Sequence, residues 1–157
     1  MANSGPIKNF RQVINYFETI CTSHIVIKQF QSGTISDIDV QTETLSPTEY
    51  PLVFLVYRNG EIAKNGKVSF DFTLMVCDIS KDQTSLEVNR LSDTHEILMD
   101  LVSKFMLTSQ TEVDASINSP ILTTPFVDRF NNKLSGWAAE ITITLKSALT
   151  LCDTAFE

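Results

Sequence analysis

The chain has 157 residues, 43% hydrophobic and 20% charged, enough apolar material for one domain with a real core and too much for a disordered chain. Its formal net charge is −7 and its pI about 4.8, with 12 Lys and Arg scattered along the sequence. That balance excludes the clustered basic surface by which a protein grips nucleic-acid phosphates.

Ile7, Phe10, Val13, Ile14, Phe17, Ile20 and Cys21 recur mostly at steps of three and four, which predicts a helix over Ile7–Thr22 with one apolar stripe. Ser4 is its candidate cap, and Pro6 suits the first turn. His24 to Phe30 is rich in β-branched residues and ends at Ser32-Gly33, predicting a strand with a weak extension through Ile35 to Val40. Gln41 to Glu49 reads as a polar loop.

Pro51 to Tyr57 is almost wholly apolar and reads as a strand buried on both faces. Asn59-Gly60 and Asn65-Gly66 follow, and both pairs have turn chemistry because Asn and Gly accept positive φ. Lys67 to Ile79 then alternates, with Val68, Phe70, Phe72, Leu74 and Val76 on one face. Together these segments predict a long antiparallel hairpin with its tip at Arg58–Lys67.

After a polar loop at Ser80–Ser85, Leu91, His95, Leu98, Leu101, Val102, Phe105 and Met106 follow helical spacing. The predicted helix is Ser92–Leu107, capped by Ser92 or Asn89. Ser109 to Ser119 reads as loop, with a short extended piece at Ile121–Thr123. Phe126 to Phe130 and Gly136 to Leu145 are predicted strands, joined by a turn at Asn131–Lys133; in the second, Trp137, Ala139, Ile141, Ile143 and Leu145 face inward. The order of elements gives an α+β fold: a mostly antiparallel sheet with a long hairpin and two helices packed on one face. Phe70, Phe72 or both, with Trp137, Leu98 and Leu101, are the expected core, and truncating a buried Trp or Phe there would cost about 3–5 kcal/mol.

The sequence is thin in chemistry. Its five glycines form no phosphate loop and no G-x-S-x-G nucleophile turn. Cys21 and His24 have the spacing of half a metal site without a second half, and Asp37, Asp39 and Glu43 lack the glycine and closing Glu of a calcium loop. Asp78 and Asp82 read as a solvated turn, and Asp128-Arg129 should point to opposite faces of a strand. His95 reads as an exposed or hydrogen-bonded structural residue. Cys21, Cys77 and Cys152 read as buried free thiols, since a disulfide framework wants an even count. No cofactor, metal or catalytic residue is expected. The start Met1-Ala2-Asn3-Ser4-Gly5-Pro6 lacks the pattern of a signal peptide, and the apolar runs are too short to span a bilayer, so a cytoplasmic protein without a membrane partner is expected.

Pro125-Phe126-Val127-Asp128-Arg129-Phe130, a short gap, and then Leu134-Ser135-Gly136-Trp137-Ala138-Ala139-Glu140-Ile141-Thr142-Ile143 carry a resemblance. The stretch resembles the C-terminal part of small tail-completion proteins of tailed phages, including those of the crAss-like group and related marine phages. There, a "PF-x-[DE]-RF" strand, a "GW" pair and an alternating strand precede a late cysteine, as Cys152 does here. Tyr50-Pro51-Leu52 and Val76-Cys77-Asp78 extend the resemblance over roughly Phe10 to Cys152.

The resemblance implies a non-enzymatic virion protein, assembled in the bacterial host cytoplasm, that forms a homomeric ring in the neck or tail as a head–tail connector or tail terminator. Its partners would be copies of itself and neighbouring neck or tail proteins, with DNA only in passage through an acidic lumen that repels phosphate. The contact candidates are Arg58, Asn59, Gly60, Glu61, Lys64 and Lys67 at the hairpin tip, and Phe156 in a docking tail over residues 146–157. Two other readings stay open: a protein-binding adaptor outside any virion, and a small ligand-binding or hydrolase domain with a pocket the sequence does not reveal.

Overall fold

The computed structural model describes residues 7, 9–42, 45, 49–64, 66–79, 87–109, 115–129 and 134–145. Its elements run α1 (Phe10–Ser23), β1 (Gln29–Gly33), α2 (Asp37–Thr42), β2 (Leu52–Ile62), β3 (Val68–Ile79), α3 (Glu87–Ser109), β4 (Ala115–Ile117), β5 (Thr123–Arg129) and β6 (Leu134–Leu145). The strands form one sheet in the order β1-β2-β3-β6-β4, with β5 pairing the other half of β6 on the same side as β4. Only β1 and β2 run parallel; every other pair is antiparallel. This is the expected α+β architecture.

The long helices α1 and α3 share one face of the sheet. Val13, Phe17, Ile20 and Cys21 from α1 and Ile97, Leu98, Leu101 and Phe105 from α3 close over Val53, Leu55, Phe72, Leu74, Val76, Ala139, Ile141 and Ile143. Phe17 and Phe105 stack at 5.0 Å between ring centroids, tying the two helices to each other above Phe72. Strand alternation forces the other side chains through the sheet, and a second core forms there from Ile38, Tyr50, Leu52, Phe54, Val56, Met75, Cys77, Phe126 and Leu134. These two cores explain the unbroken apolar run of β2, in which Leu52 to Val56 are all buried.

Several boundaries differ from the sequence expectation. Asn9 caps α1, its side chain accepting from the Gln12 N–H at 3.0 Å; Ser4 lies outside the described residues. The segment His24–Lys28 is not strand. The His24 N–H closes α1 on the Cys21 carbonyl, and pairing begins only where Gln29 comes opposite Leu52. The expected extension Ile35–Val40 is instead the start and body of α2, because Asp37 accepts from both the backbone N–H and the hydroxyl of Thr34 and turns the chain into a helix. Helix α3 begins at Glu87, ahead of Ser92, and β4 occupies part of the segment read as loop. Phe72, Leu98 and Leu101 are buried as expected, with Phe70 partly buried beside Phe72; Trp137, against expectation, is only half-buried. The turn at Asn131–Lys133 and the segment 146–157 lie outside the described residues.

Candidate interaction surface

The hairpin end is shorter than its sequence suggests. Asn59-Gly60 lies inside β2, paired with Asp71 and Phe70, and the true turn is Ala63–Lys67. There the Ala63 N–H donates to the Lys67 carbonyl at 2.9 Å, the Gly66 N–H donates to Ala63 at 3.1 Å, and Gly66 takes φ 85, which a side chain would disfavour. Gly60 is not a turn residue: it lies in paired strand, and a β-carbon there would make an ordinary contact with the Phe70 ring at 3.4 Å. A bulge between Tyr57 and Asn59 changes the strand's parity, so Tyr57, then Gly60 and Ile62, look toward the helix face. Arg58, at the bulge, reaches across β3 to Glu140 at 3.3 Å, an exposed pair worth little in stability. Glu61, Lys64 and Lys67 are exposed, and so is the apolar Ile62, at 73%.

Local features interrupt the regular ladder at both sides of the sheet among the described residues. On β1, the Gln41 side-chain amide from α2 donates to the Ser32 carbonyl at 3.3 Å, and Gly33 lies so close to α2 that a β-carbon would stand 2.6 Å from Asp37. On the opposite side, β4 and β5 lie end to end along β6, and Asn118 bridges the gap between them. Its side chain accepts from the Thr142 N–H at 2.8 Å and donates to the Glu140 carbonyl at 3.3 Å, replacing the missing ladder bonds. The Glu140 N–H donates to Leu122, which makes Thr123 and Ala139, and two residues on Pro125 and Trp137, non-hydrogen-bonded pairs. Pro125 therefore lacks its N–H on the outward side, where an added strand would need it.

Among the described residues, a concavity lies on the helix face. Val88, Leu91, Ser92, His95, Glu96 and Met99 form one flank of α3, and with Trp137 of β6 they line an open groove of about 430 Å³. The spacing of 88, 91, 95 and 99 puts these residues on one helical stripe, beside the stripe that enters the core. The Trp137 indole N–H donates to the Leu91 carbonyl at 2.8 Å, and the His95 ring meets it edge-on at 4.6 Å. The indole is thus fixed while part of it stays exposed. Val88 and Met99 are 78% and 49% exposed, so the groove is an apolar surface with Glu96 as its one carboxylate. Ser92, His95 and Glu96 share the flank, yet none of the described hydrogen bonds joins them into a nucleophile and base.

The tip residues Arg58, Asn59, Gly60, Glu61, Lys64 and Lys67 fall at one end of the sheet, and the groove lies toward the other, since Val68 pairs Leu145 while Val76 pairs Trp137. Phe156 lies outside the described residues. Cys21 and His24 diverge: the thiol is buried among the helices, while His24 accepts from the Val26 N–H through Nδ1 and meets Asp100 through Nε2 at 2.9 Å. Asp78 accepts from the Ile79 N–H, and among the described residues no group of three His, Cys, Asp or Glu is placed to hold a metal ion. No described helix is long and apolar enough to cross a membrane.

Sequence patterning alone does not reveal the groove: Leu91 follows the spacing of the core stripe, Trp137 reads as core, and His95 reads as an exposed or hydrogen-bonded structural residue. The signal for the groove was Val88 four residues before Ser92, extending the apolar pattern past the expected start of α3. Comparisons with protein-family models and with curated proteins find no match for this chain.

Proposed function

We propose that this chain is a structural subunit of a tailed phage, assembling into a closed homomeric ring in the neck or tail, as a head–tail connector or tail terminator, without catalysis. The observation that carries the reading is the pairing of the two segments on which the phage resemblance rests. Pro125 stands opposite Trp137 and Phe126 opposite Gly136, so the two segments form one structural joint between β5 and β6. Gly136 is required there because a β-carbon would fall 1.8 Å from the Val76 carbonyl oxygen of β3. A pair of segments that forms a backbone joint suits an architectural protein. A ring also needs one head-to-tail contact between unlike surfaces.

The expected particle is a six- or twelve-fold ring. Native mass measurement of the purified chain tests the ring, and a reconstruction of the intact virion tests its place. A chain that occurs in the virion as a monomer, or outside neck and tail, would sink the proposal. The apolar groove favours one second reading, an adaptor that binds another protein; a chain that stays monomeric but captures a partner strand or helix on α3 would support it.

A further inference from the structure

We propose that the ring contact joins the hairpin end of one copy, through Ile62 and Lys64, to the groove between α3 and Trp137 of the next copy. This inference rests on the ring reading and names the two surfaces that would meet. The groove is apolar, open and anchored on a fixed indole, the kind of pocket that a single inserted side chain fills in a protein interface. The hairpin end offers such a side chain. Ile62 projects on the helix-face side of β2, opposite Val68, and is 73% exposed on a strand that otherwise buries its apolar residues.

Charge matches in the same sense. Arg58 is paired with Glu140, but Lys64 and Lys67 still outnumber Glu61 at the hairpin end, whereas the carboxylate of Glu96 lines the groove and Asp93 is exposed one turn earlier on α3. In a protein of net charge −7, a locally basic end is a part of a copy that an acidic flank attracts. The two surfaces lie toward opposite ends of the β3–β6 pair. Copies joined this way repeat head to tail, and they close into a ring wherever the rotation between neighbours divides a full turn. Pro125 interrupts the outer edge of β5, where an added strand would need an N–H.

Trp137 is the only tryptophan in the chain, so its fluorescence reports directly on the groove. Sedimentation and tryptophan emission are followed together across a dilution series of the full chain. Association of the wild type should shift emission to the blue as Ile62 of a neighbour covers the indole. Ile62→Asp, at a site too exposed to disturb the core, should keep the far-ultraviolet spectrum, weaken association at least tenfold and abolish the shift. Lys64→Glu and Glu96→Lys should each weaken association, and the two changes combined should restore it.

Rings that form undiminished in Ile62→Asp, or a double exchange that restores nothing, would overturn this contact and leave the ring reading standing. A blue shift retained by Ile62→Asp would overturn it too, because another segment, such as residues 146–157 of the neighbour, would then fill the groove. A wild-type chain that sediments as a monomer at every concentration would overturn both.

Discussion

Gly136 has no room for a side chain. Its missing β-carbon would stand 1.8 Å from the Val76 carbonyl oxygen and 2.9 Å from the carbonyl carbon, both backbone atoms of the central β3–β6 pair. Gly136→Ala must therefore push two strands apart, and the loss should exceed the about 1–3 kcal/mol of ordinary overpacking; urea denaturation measures it. The buried thiols give a second prediction at this scale. Burial, with Glu18 adding to it, pushes the Cys21 thiol from 9.0 up to about 12, and burial, with Asp78 adding, pushes Cys77 up as well. The folded state thus keeps protons that the unfolded state releases above about pH 9. Their contribution to stability is whole below pH 9 and is lost as pH rises from there toward 12. Denaturation midpoints taken from pH 8 to pH 11 should fall, and Cys21→Ala should fall less steeply. In a Cys152→Ser background, a thiol reagent at pH 8 should find neither Cys21 nor Cys77 until the chain unfolds.

Among the elements, the edge of β6 depends on one side chain. Asn118 supplies two hydrogen bonds where β4 has ended and β5 has not begun, across the cis Ser119–Pro120 bond. Asn118→Ala leaves the Thr142 N–H and the Glu140 carbonyl without those partners. At about 1 kcal/mol for each bond, a loss of roughly 2 kcal/mol is expected. Hydrogen exchange should show it locally, at the Thr142 amide, before the rest of β6 responds. Helix α1 offers a smaller case: Asn9→Ala removes the cap on the Gln12 N–H and should cost about 1 kcal/mol by thermal denaturation. Both residues show how far local signals were legible. Asn9 belongs to the preferred capping types and stands just before an apolar stripe, yet Ser4 and Pro6 offered an equally good start in the sequence. Asn118 looked like loop chemistry because its bonds go to a strand more than twenty residues away.

For the whole molecule, the hairpin end and the α3 groove define its two poles, and the ring proposal turns on them. Because Asn59–Ile62 is paired strand, deleting Asn59–Gly66 would unpair Val68–Asp71 as well as removing the tip. Replacing only Lys64 and Lys67 by Glu is the cleaner change. It should leave the melting temperature within about the ±0.5 kcal/mol range of ordinary surface substitutions. It should also reduce the yield of particles that keep a tail, measured by electron microscopy of lysates. Full yields would remove the hairpin end from the assembly contact.

What the sequence by itself determined is the local pattern: the stripes of α1 and α3, the alternation of β3 and β6, the doubly buried run of β2, and from their order the α+β class. These signals are periodic and need only near neighbours along the chain. Only the tertiary structure decided which glycine turns the hairpin, since Gly60 and Gly66 follow identical asparagines, yet Gly60 lies in paired strand and Gly66 takes the positive φ. It likewise decided that Trp137 stops half-way into the core, because α3 passes beside the indole and holds it by the Leu91 carbonyl. A groove is made by two elements meeting, and the distance between Val88 and Trp137 along the chain carries no trace of their distance in space.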